Sequence, residues 1–350
     1  MKFKFYLIFF GIFLFARVEL VLAADTSLNL VTSPLPINLT TTPGSTVSAQ
    51  LKIKNGGEHP ETLTIGLMKF SAYGEDGKPH LLDREKGDDY FDWITFSEKE
   101  FTVNPNEWKT ITAYITVPAD AAFGYYYAVT FSRRNEEIPG GPRSTKVIGA
   151  TATLVLLEVR VPNAIRDIEV LEFGTPQHIY EFLPVTFTIK LKNKGNVHVV
   201  PKGNIFIDRF GEKKDVAMLT VNELSGNVLP DSNRIFESSW GDGFPVYQER
   251  INDDKTVVTD KNGKPVLKLK WDFSQVPKLR WGKYTASLLL VYDDGSRDIP
   301  IEGKLSFWVM PWRIIGGSLV IISLVLAGLY SIIKVPIAKI IDRKKSKKVL

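Results

Sequence analysis

The sequence predicts an all-β chain, two β-sandwich domains in tandem, followed by a single C-terminal transmembrane α-helix. Three observations predict it. Apolar and polar residues alternate with period two in run after run between residues 24 and 310. Glycine-containing turn dipeptides punctuate those runs. The stretch Ile314 to Ile333 is 20 residues without a charge.

The chain opens with Lys2 and Lys4, then Phe5 to Phe15 without a charge, then Val21-Leu22-Ala23-Ala24. A basic start, a short apolar stretch and small residues at a cut site make residues 1–23 a signal peptide. The apolar stretch spans only about half a bilayer core, which argues against an uncleaved anchor.

The first domain is expected over 24–162. Thr46 to Lys54 places Val47, Ala49, Leu51 and Ile53 on one face, and Thr110 to Val117 alternates in the same way. Asn55-Gly56-Gly57 and Asp76-Gly77 have the chemistry of tight hairpins. The insert Gly74 to Trp93 and the segment Asn135 to Thr145 are expected to be exposed loops, where binding surfaces on sandwiches often sit. Val147 to Val161 is expected to close this domain as one long strand.

The division falls near Pro162-Asn163, and the second domain is expected over 163–310. Ile165 to Phe173 opens it, Phe187 to Lys192 and Val266 to Trp271 alternate, and Asn262-Gly263 and Asp294-Gly295 mark turns. The two domains share an outline. Lys52-Ile53-Lys54-Asn55-Gly56-Gly57 matches Lys190-Leu191-Lys192-Asn193-Lys194-Gly195, and Gly124-Tyr125-Tyr126 matches Gly282-Lys283-Tyr284. A repeated unit of short strands and frequent turns predicts two related Ig-like sandwiches.

The span 314–333 has the length of a bilayer core at 1.5 Å per residue. Trp308, Trp312 and Arg313 stand at one end, Tyr330 and Lys334 at the other, as an interfacial belt would. The segment 334–350, with Arg343, Lys344 and Lys345 among its seven basic residues, is expected to stay cytoplasmic. Signal and tail agree on single-pass type I topology in the plasma membrane, with the bulk of the chain extracellular and the lipid bilayer as one partner.

The net charge of +5 owes much to that tail, and the region between signal and span is acidic. Nucleic acid is therefore not an expected partner. There are no cysteines, which excludes disulfide scaffolds and thiolate chemistry and leans towards a bacterial surface. His59, His80, His178 and His198 form no zinc motif, and no nucleophile elbow or phosphate loop occurs. His198 is expected to be a structural polar partner. Asp88-Asp89 with Asp92, and Asp253-Asp254 with Asp260 and Asn262, carry oxygen ligands but lack the spacing of a calcium loop. Trp93, Trp108, Trp240, Trp271, Trp281 and Tyr125 to Tyr127 could stack on sugars, but sandwich cores use the same residues. No catalytic residue, metal or cofactor is expected, and the chain is not expected to be an enzyme.

The layout resembles the WxL-interacting surface proteins of Gram-positive bacteria. Pro43-Gly44-Ser45-Thr46 leading into Leu51 to Asn55, and Pro118 followed by Phe123 to Tyr127, are similar to that family's first domain. Asn193 to Gly203, Val228-Leu229-Pro230 and Trp281-Gly282-Lys283-Tyr284 resemble an Ig-like pattern recurrent in bacterial surface proteins. The resemblance implies attachment to peptidoglycan through the first domain and binding of other surface or host proteins through the second. The expected function is non-enzymatic binding or scaffolding at the cell surface. The alternatives are a carbohydrate-binding module for peptidoglycan and an accessory subunit of a membrane secretion or pilus complex.

Overall fold

The computed structural model describes residues 28–134, 150–210 and 215–346. The expected signal peptide and the segment Asn135 to Thr145 lie outside them. The described chain is mostly β-sheet and ends in one long helix.

Its first half comprises β1 (Leu30–Ser33), β2 (Ile37–Thr41), β3 (Thr46–Asn55), β4 (Glu61–Tyr73), β5 (Lys78–Leu82), β6 (Ile94–Phe96), β7 (Glu100–Val103), β8 (Trp108–Thr116), β9 (Phe123–Arg133) and β10 (Thr151–Val159). One sheet orders β1-β3-β8-β6, and the other orders β2-β10-β9-β4-β5 with β7 also on β4. The alternation expected along β3 and β8 turns Leu51, Ile53, Ile111 and Ile115 inward. There they meet Tyr127, Val129, Phe131, Val155 and Leu157 of the facing sheet, all essentially buried.

The second half comprises β11 (Ile168–Gly174), β12 (Ile179–Tyr180), β13 (Val185–Asn193), β14 (Lys202–Arg209), β15 (Asp215–Val221), β16 (Asn233–Trp240), β17 (Val246–Glu249), β18 (Leu267–Lys270), β19 (Gly282–Asp293) and β20 (Asp298–Val309). Sheets ordered β11-β13-β16 and β12-β20-β19-β14-β15 enclose a second core of Phe187, Ile189, Ile205, Ile207, Tyr284, Leu288 and Phe307.

The halves repeat their topology. In each, the opening strand is split between the two sheets. β1 pairs antiparallel with β3 while β2 runs parallel to β10, and likewise β11 pairs antiparallel with β13 while β12 runs parallel to β20. The central hairpins β9–β10 and β19–β20 also correspond.

Three local expectations are corrected. Asn55-Gly56-Gly57 is no hairpin, because β3 and β4 lie in different sheets and the segment crosses between them. Val266 to Trp271 alternates, yet its β18 pairs only with β17, and Leu267 and Trp271 are about half exposed. That ribbon lies at the edge of the core, where Val246 packs against it and Trp271 meets Phe182 and Phe244. The insert Gly74 to Trp93 is not a free loop. It supplies β5, paired along β4, and a 3-10 helix, Asp89–Trp93, whose Phe91 is buried.

The two halves also touch. Glu75 of the insert pairs with Lys190 (2.7 Å), accepts a hydrogen bond from Asn233 Nδ2 (3.1 Å), and its carbonyl accepts from Ile235 N (2.7 Å). Phe70, Ala128 and Leu156 form a small apolar cluster capped by Leu229 of the second half. Tyr126 meets His198 edge to face at 5.8 Å. Arg166 pairs with the buried Glu158 across the joint.

Candidate functional site

The sequence concentrates its candidate residues where β20 gives way to the helix α1 (Trp312–Ser346). Only Met310 and Pro311 intervene. Met310 N donates to Tyr180 O (2.7 Å), which ties this joint to β12. Among the described residues, the apolar segment long enough to cross a membrane is Trp312–Ile332. None of it is buried against the protein.

Trp308 projects from the outer face of β20 and Trp312 is the first helical residue, both nearly half exposed. Trp312 and Arg313 are the first two residues of the helix. Arg313 Nε lies 3.3 Å from Glu181 Oε1. Glu181 is buried, and sequence reasoning missed it because no local pattern marks a carboxylate whose partner is so distant in sequence. Tyr330 lies 18 residues beyond Trp312 on the helix, at about 27 Å of rise, so the two rings mark opposite ends of one span. Lys334, Arg343, Lys344 and Lys345 continue the same unbroken helix.

The other candidates are absorbed into the fold. Lys69 lies 3.1 Å from Asp88, and Arg84 pairs with Asp92. The Glu85 backbone N–H and then the Lys69 ammonium hold the Asp88 carboxyl below its usual range. Asp260 accepts from Asn262 N and Lys264 N, closing a turn, and Asp254 accepts from Thr256. Among the described residues no group of three or more His, Asp or Glu side chains could hold a metal. Trp240 is core, Tyr125 and Tyr127 share the inner face of β9, and Tyr126 faces His198 on the other side. Burial pushes the His198 imidazole below its ordinary 6.5, with Glu158 opposing and Arg166 adding to that shift.

Some aromatic residues stay outside. Trp108 and Tyr114 project from the outer face of β8, each almost half exposed, six residues apart on one side of the strand. That spacing separates them by about 20 Å. Trp281, at the start of β19, is more than half exposed.

No family model matches the sequence, and no curated protein matches it. Among solved structures, the class 5 fimbrial chaperone CfaA is similar, with 14% identity over 70% of this chain and all of that one, at a TM-score of 0.33. The YadV chaperone gives 11% identity, 80% and 100% coverage, and a TM-score of 0.33. The chaperone–tip subunit complex CsuC–CsuE of Acinetobacter baumannii Csu pili gives 9%, 78%, 97% and 0.33. Likeness this distant carries neither a function nor a partner to this chain.

Proposed function

We propose that this chain is a non-enzymatic surface protein in which two Ig-like domains are held outside the plasma membrane by α1, as in the WxL-interacting proteins it resembles. The observation that carries this reading is the two-residue joint between β20 and a helix of spanning length with no protein packed against it. The outward domains then have a fixed base. The first domain stands farther from that base, and contacts at Glu75, Leu229 and Arg166 steady it against the second.

Binding of the cell wall fits the outer face of the first domain best. There β3 and β8 present Ser48, Gln50, Lys52, Thr110 and Thr112 in register between the exposed rings of Trp108 and Tyr114. A flat polar sheet with two separated rings suits an extended glycan, and other surface proteins remain for the second domain.

Full chain in detergent micelles, mixed with purified peptidoglycan sacculi, tests this. Co-sedimentation is expected, and Trp108→Ala with Tyr114→Ala should lower it at least tenfold without changing thermal stability. Absence of co-sedimentation overturns wall binding. Recovery of the chain in the soluble fraction of cells overturns anchoring.

A further inference from the structure

At the end of the second half where α1 departs, one row of residues crosses four neighbouring strands. Ile179 of β12 is in register with Trp308 of β20, and Trp308 is in register with Lys283 of β19. Beyond them, just past β14, Phe210 donates its backbone N–H to Lys283 O at 2.9 Å. Residues directly opposite one another in a sheet share a face. Trp308 and Lys283 alternate with the buried Phe307, Val309 and Tyr284, so theirs is the outer face. Ile179 is 53% exposed and Phe210 73% exposed.

Trp281 lies two residues nearer the helix on the β19 side and is 57% exposed. Cations lie over both outlying rings: the Lys283 ammonium is 5.4 Å from the Phe210 centroid, and the Arg209 guanidinium 5.1 Å from that of Trp281. The row is about 14 Å wide at the usual strand spacing. Its Trp308 is only four residues before Trp312, where the apolar span begins.

We propose that this end of the second domain is itself a lipid-contacting surface. Phe210, Trp281, Trp308 and Ile179 enter the headgroup layer, and Arg209 and Lys283 face anionic lipid phosphates. The inference rests on the proposed anchoring of α1 and goes beyond it, because it places residues from four strands against the bilayer.

The chemistry fits lipid better than a protein groove. Aromatic rings beside basic side chains are what membrane–water interfaces select. The headgroup layer extends several Å beyond the hydrocarbon on each side. Basic residues held near an anionic surface are drawn to it. A domain joined to the span by two residues has this end at that depth already.

The chain has no cysteine, so single substitutions give unique labelling sites. Phe210→Cys, Leu324→Cys and Leu224→Cys, each carrying an environment-sensitive fluorophore, would be reconstituted as full chain in phosphatidylcholine vesicles with and without phosphatidylglycerol. Leu324 lies inside the span, and Leu224 is 93% exposed at the opposite end of the domain, just beyond β15.

Quenching by headgroup-labelled lipid is expected at 210, quenching by acyl-chain-labelled lipid at 324, and neither at 224. Lys283→Glu should weaken the signal at 210 in vesicles containing phosphatidylglycerol and leave 324 unchanged. Lipid contact at 324 with water at 210 overturns this inference and leaves the anchor standing. Water at both positions overturns the anchor itself. Trp281→Cys repeats the measurement should Phe210→Cys fail to fold.

Discussion

Asn55 and Asn193 occupy equivalent corners of the two halves and make the same set of hydrogen bonds. Each side-chain oxygen accepts from the backbone N–H two residues on, Gly57 and Gly195. Each Nδ2 donates to the carbonyl four residues on, His59 and Val197, and to a carbonyl beyond the neighbouring turn, Val103 and Val228. Each backbone N–H donates to the carbonyl four residues past that, Glu107 and Ser232. Both side chains are fully buried.

This shared corner predicts equal and separate weaknesses. Asn55→Ala strands the Val103 and His59 carbonyls, and Asn193→Ala strands those of Val228 and Val197. A buried group left without its partner costs about 1–3 kcal/mol. Each variant should therefore lose about 2–3 kcal/mol in urea unfolding. A loss below about 0.5 kcal/mol would show that the corners are held by backbone alone.

The contact between halves carries a pH signature. His198 is buried against Tyr126, and that burial lowers its proton affinity in the folded chain. An unfolded histidine binds a proton near 6.5, so below that value the unfolded chain takes up more protons than the folded one. Stability should fall between pH 7.5 and 5.5. The depressed carboxyls, such as Glu61 beside Arg133, lose their contribution only at lower pH, so they do not confuse this window. His198→Phe should flatten the profile, and an unchanged profile would place the titration elsewhere.

Glu158 and Arg166 are both largely buried and meet across the joint. Removing one partner leaves a buried charge, at about 3–5 kcal/mol. Arg166→Ala should therefore destabilise the chain far more than the pair Glu158→Gln with Arg166→Met. Thermal unfolding of the three chains checks the order.

Leu229 caps the cluster of Phe70, Ala128 and Leu156. Leu229→Asp should open the halves and leave each core intact. Spin labels at two introduced cysteines, one in each half, should show a narrow distance distribution in the parent chain and a broad one in the variant. A distribution that stays narrow would assign the fixed geometry to Glu75 and Arg166 instead.

Much of this was legible in the sequence, wherever the signal is periodic or repeated. Val47 to Ile53 alternates because one side of β3 faces a core, and the Lys-Asn-x-Gly segments recur because the same corner is built twice. Gly195 belongs to that pattern for a physical reason: a Cβ there would overlap the Ile165 carbonyl oxygen. Contacts between distant segments leave no such trace. Glu75 looked like one more charge in a polar insert, and only the fold brings it to Lys190. The alternation of Val266 to Trp271 gives no depth, because a ribbon at the edge of a core pleats in the same way as a strand across it. The row from Ile179 to Phe210 was hidden because its four members come from four separate segments.

The two-residue joint at Met310 and Pro311 has a mechanical consequence. Chain enters the second half beside Arg166, which touches the Asp293 end of the β19–β20 hairpin, and leaves at Val309, the opposite end of the same sheet. A pull applied between these two ends therefore runs along the strands. Twelve residue pairs join β20 to β19, with β12 on its other side, and they are loaded together in shear. Ladders stressed in this way must break many hydrogen bonds at once, whereas a perpendicular pull would peel them singly. The geometry suits a tether under tension.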